Sequence, residues 1–156
     1  MQHCGFEYHA IDVSYEKSAS LVRFSLDIAN AYPKETDLLK WQRTFELKRP
    51  QDAQIIITED FELKSATDQI ILNYMTLMDF VCTIPGEITF TLDDKSKILF
   101  SYDSSIFAAS KELIPLEDER ISKAWGADAL YRLKLKTRNP LQKATLTLSI
   151  KRLSSY

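Results

Sequence analysis

Polar and apolar residues alternate along much of this chain. The alternation is clearest in four segments, Thr44–Arg49, Glu87–Asp93, Tyr131–Thr137 and Ala144–Arg152. In the last of them, Leu146, Leu148 and Ile150 alternate with threonine, serine and lysine. Successive side chains of a β-strand point to opposite faces, so a period of two predicts strands with one dry face and one wet face. Such strands are typical of antiparallel sheets that are covered on one side.

Turn residues separate these segments at short intervals. Pro85 precedes Gly86 between two of the predicted strands, and Pro50 stands in another connection, where it cannot donate a hydrogen bond to a sheet. Short, regularly spaced strands favour a sandwich over alternating β-α-β units. We therefore predict an all-β fold, a two-layer antiparallel β-sandwich.

Two segments depart from the alternating pattern. Ala29–Lys40 has Pro33 at a plausible first-turn position and acidic residues near the positive end of a helix dipole. We predict at most one short helix there, of one or two turns. Further on, Trp125 and Gly126 follow an acidic segment. We interpret this pair as a corner at which the chain enters its penultimate strand, because glycine accepts backbone angles that other residues resist.

Length and charge limit the classes of function. A chain of 156 residues fits one domain, residues 1–156, and only three glycines leave no glycine-rich phosphate-binding loop. The net charge of −2 does not provide the positive field that nucleic-acid binding usually needs, so no nucleic-acid partner is predicted. Basic residues do cluster in the last quarter, where we favour a solvated strand face: Lys134, Lys136, Arg138, Lys143, Lys151 and Arg152.

The sequence contains no apolar run long enough to span a membrane, and the segment 1–10 lacks the apolar core of a signal peptide. No membrane partner is predicted. The two cysteines, Cys4 and Cys82, have neither metal-binding nor redox spacing. They could pair only if the first strand passes near Cys82, and a buried thiol is the alternative for that residue.

The two histidines are the first candidates for chemistry. His3 and His9 are six residues apart, which places them on one face of a strand, where Glu7 or Asp12 could complete a metal or acid–base site. Nothing in the sequence marks a third ligand. We therefore favour surface or edge-strand histidines, and we predict no metal and no cofactor.

Adjacent carboxylates are the second candidates, at Glu59–Asp60, Asp93–Asp94 and Glu117–Glu119. Neighbouring residues on a strand face opposite ways, so these pairs do not form the facing carboxylates of a glycosidase. We interpret the segment Thr58–Leu63 as a strand end with a corner. The sequence also lacks a G-x-S-x-G nucleophile elbow, and we predict no catalytic residue.

Aromatic residues are the third candidates. Trp41, Trp125 and Tyr131 could form a platform on which a sugar ring stacks, although tryptophan in a small sandwich is more often a core or corner residue.

Three residues are predicted to be structural keystones, namely Arg43, Gly126 and Arg132. Each arginine could pair with a buried acid, for which Asp27, Asp60 and Asp118 are candidates.

The order of the segments resembles a known family. The stretches "AYP…WQRTFELKR" (Ala31 to Arg49) and "DERISKAWGADALYR" (Asp118 to Arg132) carry most of the likeness, which extends over nearly the whole chain. They resemble the C-terminal β-sheet region of heparinase II/III-like proteins, a family of bacterial polysaccharide lyases.

The resemblance implies a larger parent, in which an α/α toroid precedes antiparallel β-sandwich regions. Such enzymes cleave uronate-containing polysaccharides by β-elimination with a Tyr/His acid–base system. None of those catalytic residues can be carried onto a position here, so we expect a non-catalytic C-terminal fragment that supports the catalytic domains. The expected partners are the rest of the parent chain and a polysaccharide such as a glycosaminoglycan. The expected location is periplasmic or extracellular.

Two alternatives remain. A free-standing carbohydrate-binding module would need exposed, coplanar aromatic rings. An interaction module without a role in sugar binding would use an exposed edge strand.

Overall fold

The computed structural model describes residues 5–49, 53–68 and 70–153. Their strands form two antiparallel sheets, one of eight strands and one of three. The all-β antiparallel sandwich predicted from the sequence is therefore confirmed. The strands are β1 (Ile11–Lys17), β2 (Leu21–Asp27), β3 (Leu38–Lys48), β4 (Gln54–Thr67), β5 (Ile71–Thr76), β6 (Phe80–Val81), β7 (Glu87–Thr91), β8 (Lys97–Ser101), β9 (Phe107–Pro115), β10 (Ala129–Thr137) and β11 (Leu141–Leu153).

The chain divides into two compact units. The first contains the residues up to Asp68 together with Pro140–Lys151, and the second contains residues 69–139 together with the residues from Arg152 onward. In the first unit, the strands pair antiparallel in the order β1-β2-β3-β4-β11. The register places Arg43 of β3 opposite Glu59 of β4, and Glu59 opposite Leu146 of β11. That register decides which side chains of the three strands meet.

The two faces of the first unit's sheet differ as the sequence pattern predicts. One face buries Ile57, Phe61, Leu146 and Leu148, each 3% exposed or less. The opposite face carries a polar network, in which Lys40 and Thr145 both donate to the Asp60 carboxylate. Because side chains alternate between faces, one dry face and one hydrogen-bonded face follow directly from the period of two.

The second unit has its core between two groups of strands. The strands β8, β7 and β6 pair in that order, and β5, β10 and β9 form the three-stranded sheet. Aromatic rings meet across the core, Tyr74 with Phe100 at 5.3 Å between ring centroids and Phe80 with Tyr131 at 6.4 Å. The apolar positions of β10 face this core, as their alternation predicts, and Leu133 is 1% exposed.

The single α-helix of the described residues does not lie where the sequence analysis expected it. Ala29–Lys40 forms only two short 3-10 turns, Ala29–Ala31 and Lys34–Thr36. The Asp27 carboxylate accepts from the Ala29 backbone N–H at 2.7 Å and so tightens the first turn. Pro33 then stands in extended backbone between the two turns, and Asp37 ends the second in the left-handed region with φ of 53°.

The α-helix, α1, is Glu119–Trp125 in the second unit. Its N-terminal cap is Asp118, whose side chain accepts from the backbone N–H of Arg120 at 2.8 Å. Gly126 ends it in the left-handed region with φ of 65°, and its N–H bonds to the carbonyl of Ser122. The predicted corner at Trp125 and Gly126 is therefore the C-terminal cap of a helix.

A second correction concerns Thr58–Leu63. The sequence pattern predicts a strand end with a corner here, but β4 continues through the segment from Gln54 to Thr67. The segment lies between β3 and β11, which pair with it on both sides. Two partner strands keep it extended in spite of its three acidic residues.

Gly126→Ala should lower the free energy of unfolding by about 1 kcal/mol, because alanine is strained in the left-handed region. A β-carbon at this position would meet no atom within 4 Å, so the loss should come from the backbone alone. Urea denaturation measures it. Gly126→Asn is the matched control and should lose less, since asparagine tolerates this region. Equal losses for the two variants would contradict the assignment.

Candidate functional site

A cavity of about 520 Å³ opens beside the connection between β2 and β3 in the first unit. The residues that line it include two tyrosines, one asparagine and three charged residues: Tyr8, Tyr32, Asn30, Glu7, Lys34 and Glu35. This volume lies within the range of ligand-binding cavities, which combine apolar surface with a few polar groups that orient a ligand. The cavity is therefore the candidate ligand site of this unit.

The loop beside the cavity is fixed by one carboxylate at the end of β2. Asp27 Oδ1 accepts from the backbone N–H of Ala29 at 2.7 Å and from that of Trp41 at 3.3 Å. It therefore joins the first 3-10 turn to β3. Tyr32 lies between the two short turns, which places this residue in the cavity wall.

Behind Tyr32 lies a stack of aromatic rings. The Tyr32 ring is nearly parallel to that of Trp41, with 6.1 Å between centroids and 12° between planes. The Trp41 ring in turn contacts Phe61 at 5.2 Å. A ring that is held from behind presents a rigid surface to a ligand, so little conformational entropy would be lost on binding.

The stack is anchored by a buried carboxylate, Glu59. Its Oε2 accepts from the Trp41 indole Nε1 at 2.5 Å, and its Oε1 accepts from the Arg43 Nε at 2.8 Å. The Glu59 side chain is 0% exposed, whereas that of Arg43 is 30% exposed. One carboxylate thus connects two side chains of β3 to the centre of the sheet.

Burial raises the pKa of Glu59, and the effect exceeds the opposing influence of the Arg43 charge and of the hydrogen bonds from Trp41 and Arg43. Burial likewise raises the pKa of Tyr32. A shifted pKa can mark a catalytic group. Here both oxygens of Glu59 are occupied by protein donors, and Tyr32 keeps its proton at neutral pH, so the cluster is built for positioning.

Comparison with known proteins addresses the fold. No family model and no curated protein matches this sequence. Among solved structures, the heparan sulfate lyase HepC of Pedobacter heparinus matches with a TM-score of 0.67 at 8% sequence identity. A mutant of the same enzyme matches with a TM-score of 0.65 at 9% identity.

This chain has the fold of part of a heparan sulfate lyase. Both matches cover 94% of this chain and 22% of the lyase chain, so the chain spans about a fifth of that enzyme's length. The heparinase-like fold that the sequence resemblance implied is confirmed. At such low identity, the likeness concerns the fold and leaves the chemistry to be argued from the residues.

The three aromatic residues proposed for sugar stacking lie in different environments. Trp41 is 8% exposed and has Tyr32 stacked on it in the first unit. In the second unit, the Tyr131 ring packs edge-on against Phe80, while Trp125 is 44% exposed at the end of α1. Of the three residues, Trp125 is the most exposed. Trp41 is buried and supports the Tyr32 ring.

The predicted partners of the two arginines need correction. Arg43 pairs with Glu59 and Arg132 pairs with Glu112, at 2.8 and 2.6 Å, whereas the candidates from the sequence were Asp27, Asp60 and Asp118. Each true partner is the residue directly opposite the arginine on the neighbouring strand. Strand register, which sequence separation does not reveal, selects these pairs.

His3, one of the two histidines of the predicted site, lies outside the described residues, and so does Cys4. His9 is exposed, and its Nδ1 is 2.6 Å from the carbonyl oxygen of Phe6. Within the described ranges, no group of three or more histidine, cysteine or acidic residues could hold a metal ion. Cys82 is a half-buried free thiol.

Glu59, the centre of the cluster, is not among the site residues predicted from the sequence. The signal was present, since Ile57, Glu59 and Phe61 occupy alternate positions of one strand and therefore share its dry face. An acid at such a position must be paired. The cavity itself had no comparable signal, because its wall comes from separate segments of chain.

Arg43→Met should lower the free energy of unfolding by about 3 kcal/mol, since it leaves a buried carboxylate with one of its two donors. Arg132→Met is the matched control. Its partner Glu112 is 41% exposed, so the loss should be below about 1 kcal/mol. Urea denaturation of both variants provides the measurement. Similar losses in the two variants would show that burial of Glu59 does not make its ion pair more important for stability than the exposed pair of Arg132 with Glu112.

The raised pKa of Glu59 predicts a pH dependence. The folded protein holds this proton at a higher pH than the unfolded chain, whose pKa is near the ordinary 4.5. The contribution of Glu59 to the free energy of unfolding is therefore fully present below the unfolded pKa, and it decreases as the pH rises through the folded pKa. Glu59→Gln cannot ionise and should lose this part of the pH dependence.

Denaturant unfolding of the wild type and of Glu59→Gln, at a series of pH values, measures the difference. The stability of the wild type relative to the variant should fall above pH 4.5. A rise of that relative stability over the same interval would mean that Arg43 and Trp41 outweigh burial.

Proposed function

We propose that this chain is the non-catalytic β-sandwich region of a polysaccharide lyase and that it supports the catalytic domains of such an enzyme. The observation that carries the proposal is the likeness of fold to a heparan sulfate lyase over 94% of this chain and 22% of that one. A region of this size within a longer enzyme suits a supporting role. On this proposal, residues 1–156 are one part of a multidomain parent, and its other domains are the partner.

The side chains of the candidate site support a role without catalysis. Elimination from a uronate needs a base that removes a proton and an acid that protonates the leaving oxygen. In the cluster, Glu59 has both oxygens engaged by Trp41 and Arg43. The Tyr32 hydroxyl has a pKa raised by burial, which makes it a weaker acid. Glu59 and Tyr32 therefore stabilise the fold and the wall of the cavity.

A second candidate function, carbohydrate binding, is favoured by the cavity. The rigid Tyr32 ring offers an apolar surface against which the face of a sugar could pack, and Asn30 offers an amide for its hydroxyl groups. Glu7 and Glu35 outnumber Lys34 among the charged wall residues. That balance suits a neutral sugar unit better than a sulfated or carboxylated one.

The proposed role implies a location where polysaccharide is present, so we propose a periplasmic or extracellular protein. Within the described residues, no helix is long and apolar enough to cross a membrane. The role requires no cofactor.

The supporting role is tested with uronate-containing glycans, among them heparan sulfate. Incubation with this chain should give no unsaturated uronate product, as followed by ultraviolet absorbance, while the HepC lyase of Pedobacter heparinus serves as the positive control. Product formed by this chain would overturn the proposal, because it would place an acid and a base among these residues.

The cavity is tested by nuclear magnetic resonance titration with neutral oligosaccharides. Amide shifts should move at Asn30 and Tyr32, and Asn30→Ala should weaken binding. Asn139→Ala, an exposed asparagine of the second unit, is the matched control. Binding that survives Asn30→Ala unchanged would remove the cavity from consideration.

A further inference from the structure

A row of cations runs along one face of the three-stranded sheet in the second unit. Arg132, Lys134 and Lys136 are alternate residues of β10 and therefore share a face. It is the face opposite to the one that carries the buried Leu133 and Leu135. Alternate residues of a strand lie about 6.6 Å apart, so the three positions span roughly 13 Å in a line.

The register identifies every neighbour of this row. Arg132 lies between Met75 and Glu112, Lys134 between Asn73 and Ser110, and Lys136 between Ile71 and Ala108. The nine positions form a three-by-three grid with three cations and one carboxylate, whereas the whole chain has a net charge of −2. Positive charge is therefore concentrated on this face.

Most positions of the grid are accessible to solvent. Lys136, Asn73, Ser110 and Ala108 are exposed, and Met75 is 42% exposed. The side chains of Arg132 and Lys134 are 32% and 34% exposed. The neighbours of Lys134 and Lys136 have short side chains, Asn73, Ser110 and Ala108, apart from Ile71 at one edge. An extended ligand could therefore lie along the central strand without crossing a wall.

The three cations differ in how far they are neutralised. Arg132 donates from Nη2 and Nε to Glu112 Oε2 at 2.6 and 3.2 Å, and Lys134 is 3.6 Å from the same oxygen. Lys136 forms no salt bridge with any residue that the structure describes. The unpaired charge is thus greatest at the Lys136 end of the row and decreases toward Arg132.

From this geometry we infer that the outer face of β5, β10 and β9 binds a linear anionic glycan along β10. A line of cations matches repeated charges along an extended chain, whereas a compact anion would need donors that converge on one point. The hydroxyl and amide of Ser110 and Asn73 flank Lys134, where they can bond to sugar hydroxyl groups. The choice of a glycan over another polyanion rests on the proposed function.

The inference differs from the cavity in ligand and in place. The cavity has an excess of acidic side chains and suits a neutral sugar, while the basic row suits sulfate or carboxylate groups. The two sites belong to different compact units and use no residue in common.

The test is isothermal titration of the full chain with a heparan sulfate oligosaccharide at two salt concentrations. Lys134→Gln combined with Lys136→Gln should raise the Kd about tenfold, as two exposed charge contacts would. It should also reduce the salt dependence, because fewer counterions are displaced. The matched control is Lys143→Gln combined with Lys151→Gln. Both lysines lie on β11 in the first unit, so this control should leave the Kd unchanged.

The inference would be overturned by an unchanged Kd in the Lys134/Lys136 variant, by an equal loss in the β11 control, or by an affinity for single-stranded DNA of matched charge equal to that for the glycan. Loss of binding in Asn30→Ala alone would place the glycan in the cavity and would also overturn it. None of these results bears on the supporting role, which the elimination assay tests separately.

Discussion

The first unit depends on one buried carboxylate. Glu59 lies on the dry face of β4, where an unpaired charge would be very costly, and it is satisfied only because Trp41 and Arg43 reach it from β3. A shift of one residue between these strands would turn Arg43 to the opposite face. The Glu59 pair therefore favours one register, and with it the position of the Trp41 ring against which Tyr32 stacks. The position of Tyr32 in the cavity wall therefore depends on the pairing of β3 with β4.

The same alternation that builds the core also separates the surfaces available for ligands. In the second unit, Leu133 and Leu135 of β10 are buried in the core, and Arg132, Lys134 and Lys136 alternate with them on the opposite face of the strand. A strand that needs one apolar face has its other face free for charge. This freedom allows a β-sandwich to acquire a binding surface without a change in its core.

Much of the fold could be predicted because strand patterns are local. The period of two located β7, β10 and β11, and the order of the segments indicated a lyase-like fold, although the match to HepC has only 8% sequence identity. The helix was misplaced for an equally local reason. Pro33 suggested a helix start, but the Asp27 carboxylate closes a tight turn before it, whereas Asp118 and Gly126 cap a real helix elsewhere.

In the clearly alternating segments of β7, β10 and β11, the sequence by itself indicated which side chains face the core, since that depends only on parity along the chain. It could not determine the partners of Arg43 and Arg132, nor the cavity beside Tyr32, nor the neighbours of Lys134. Each of these depends on the register between strands that are distant in sequence, such as β5, β9 and β10. Register is decided when buried groups such as Glu59 find their partners, and only the tertiary structure contains that information.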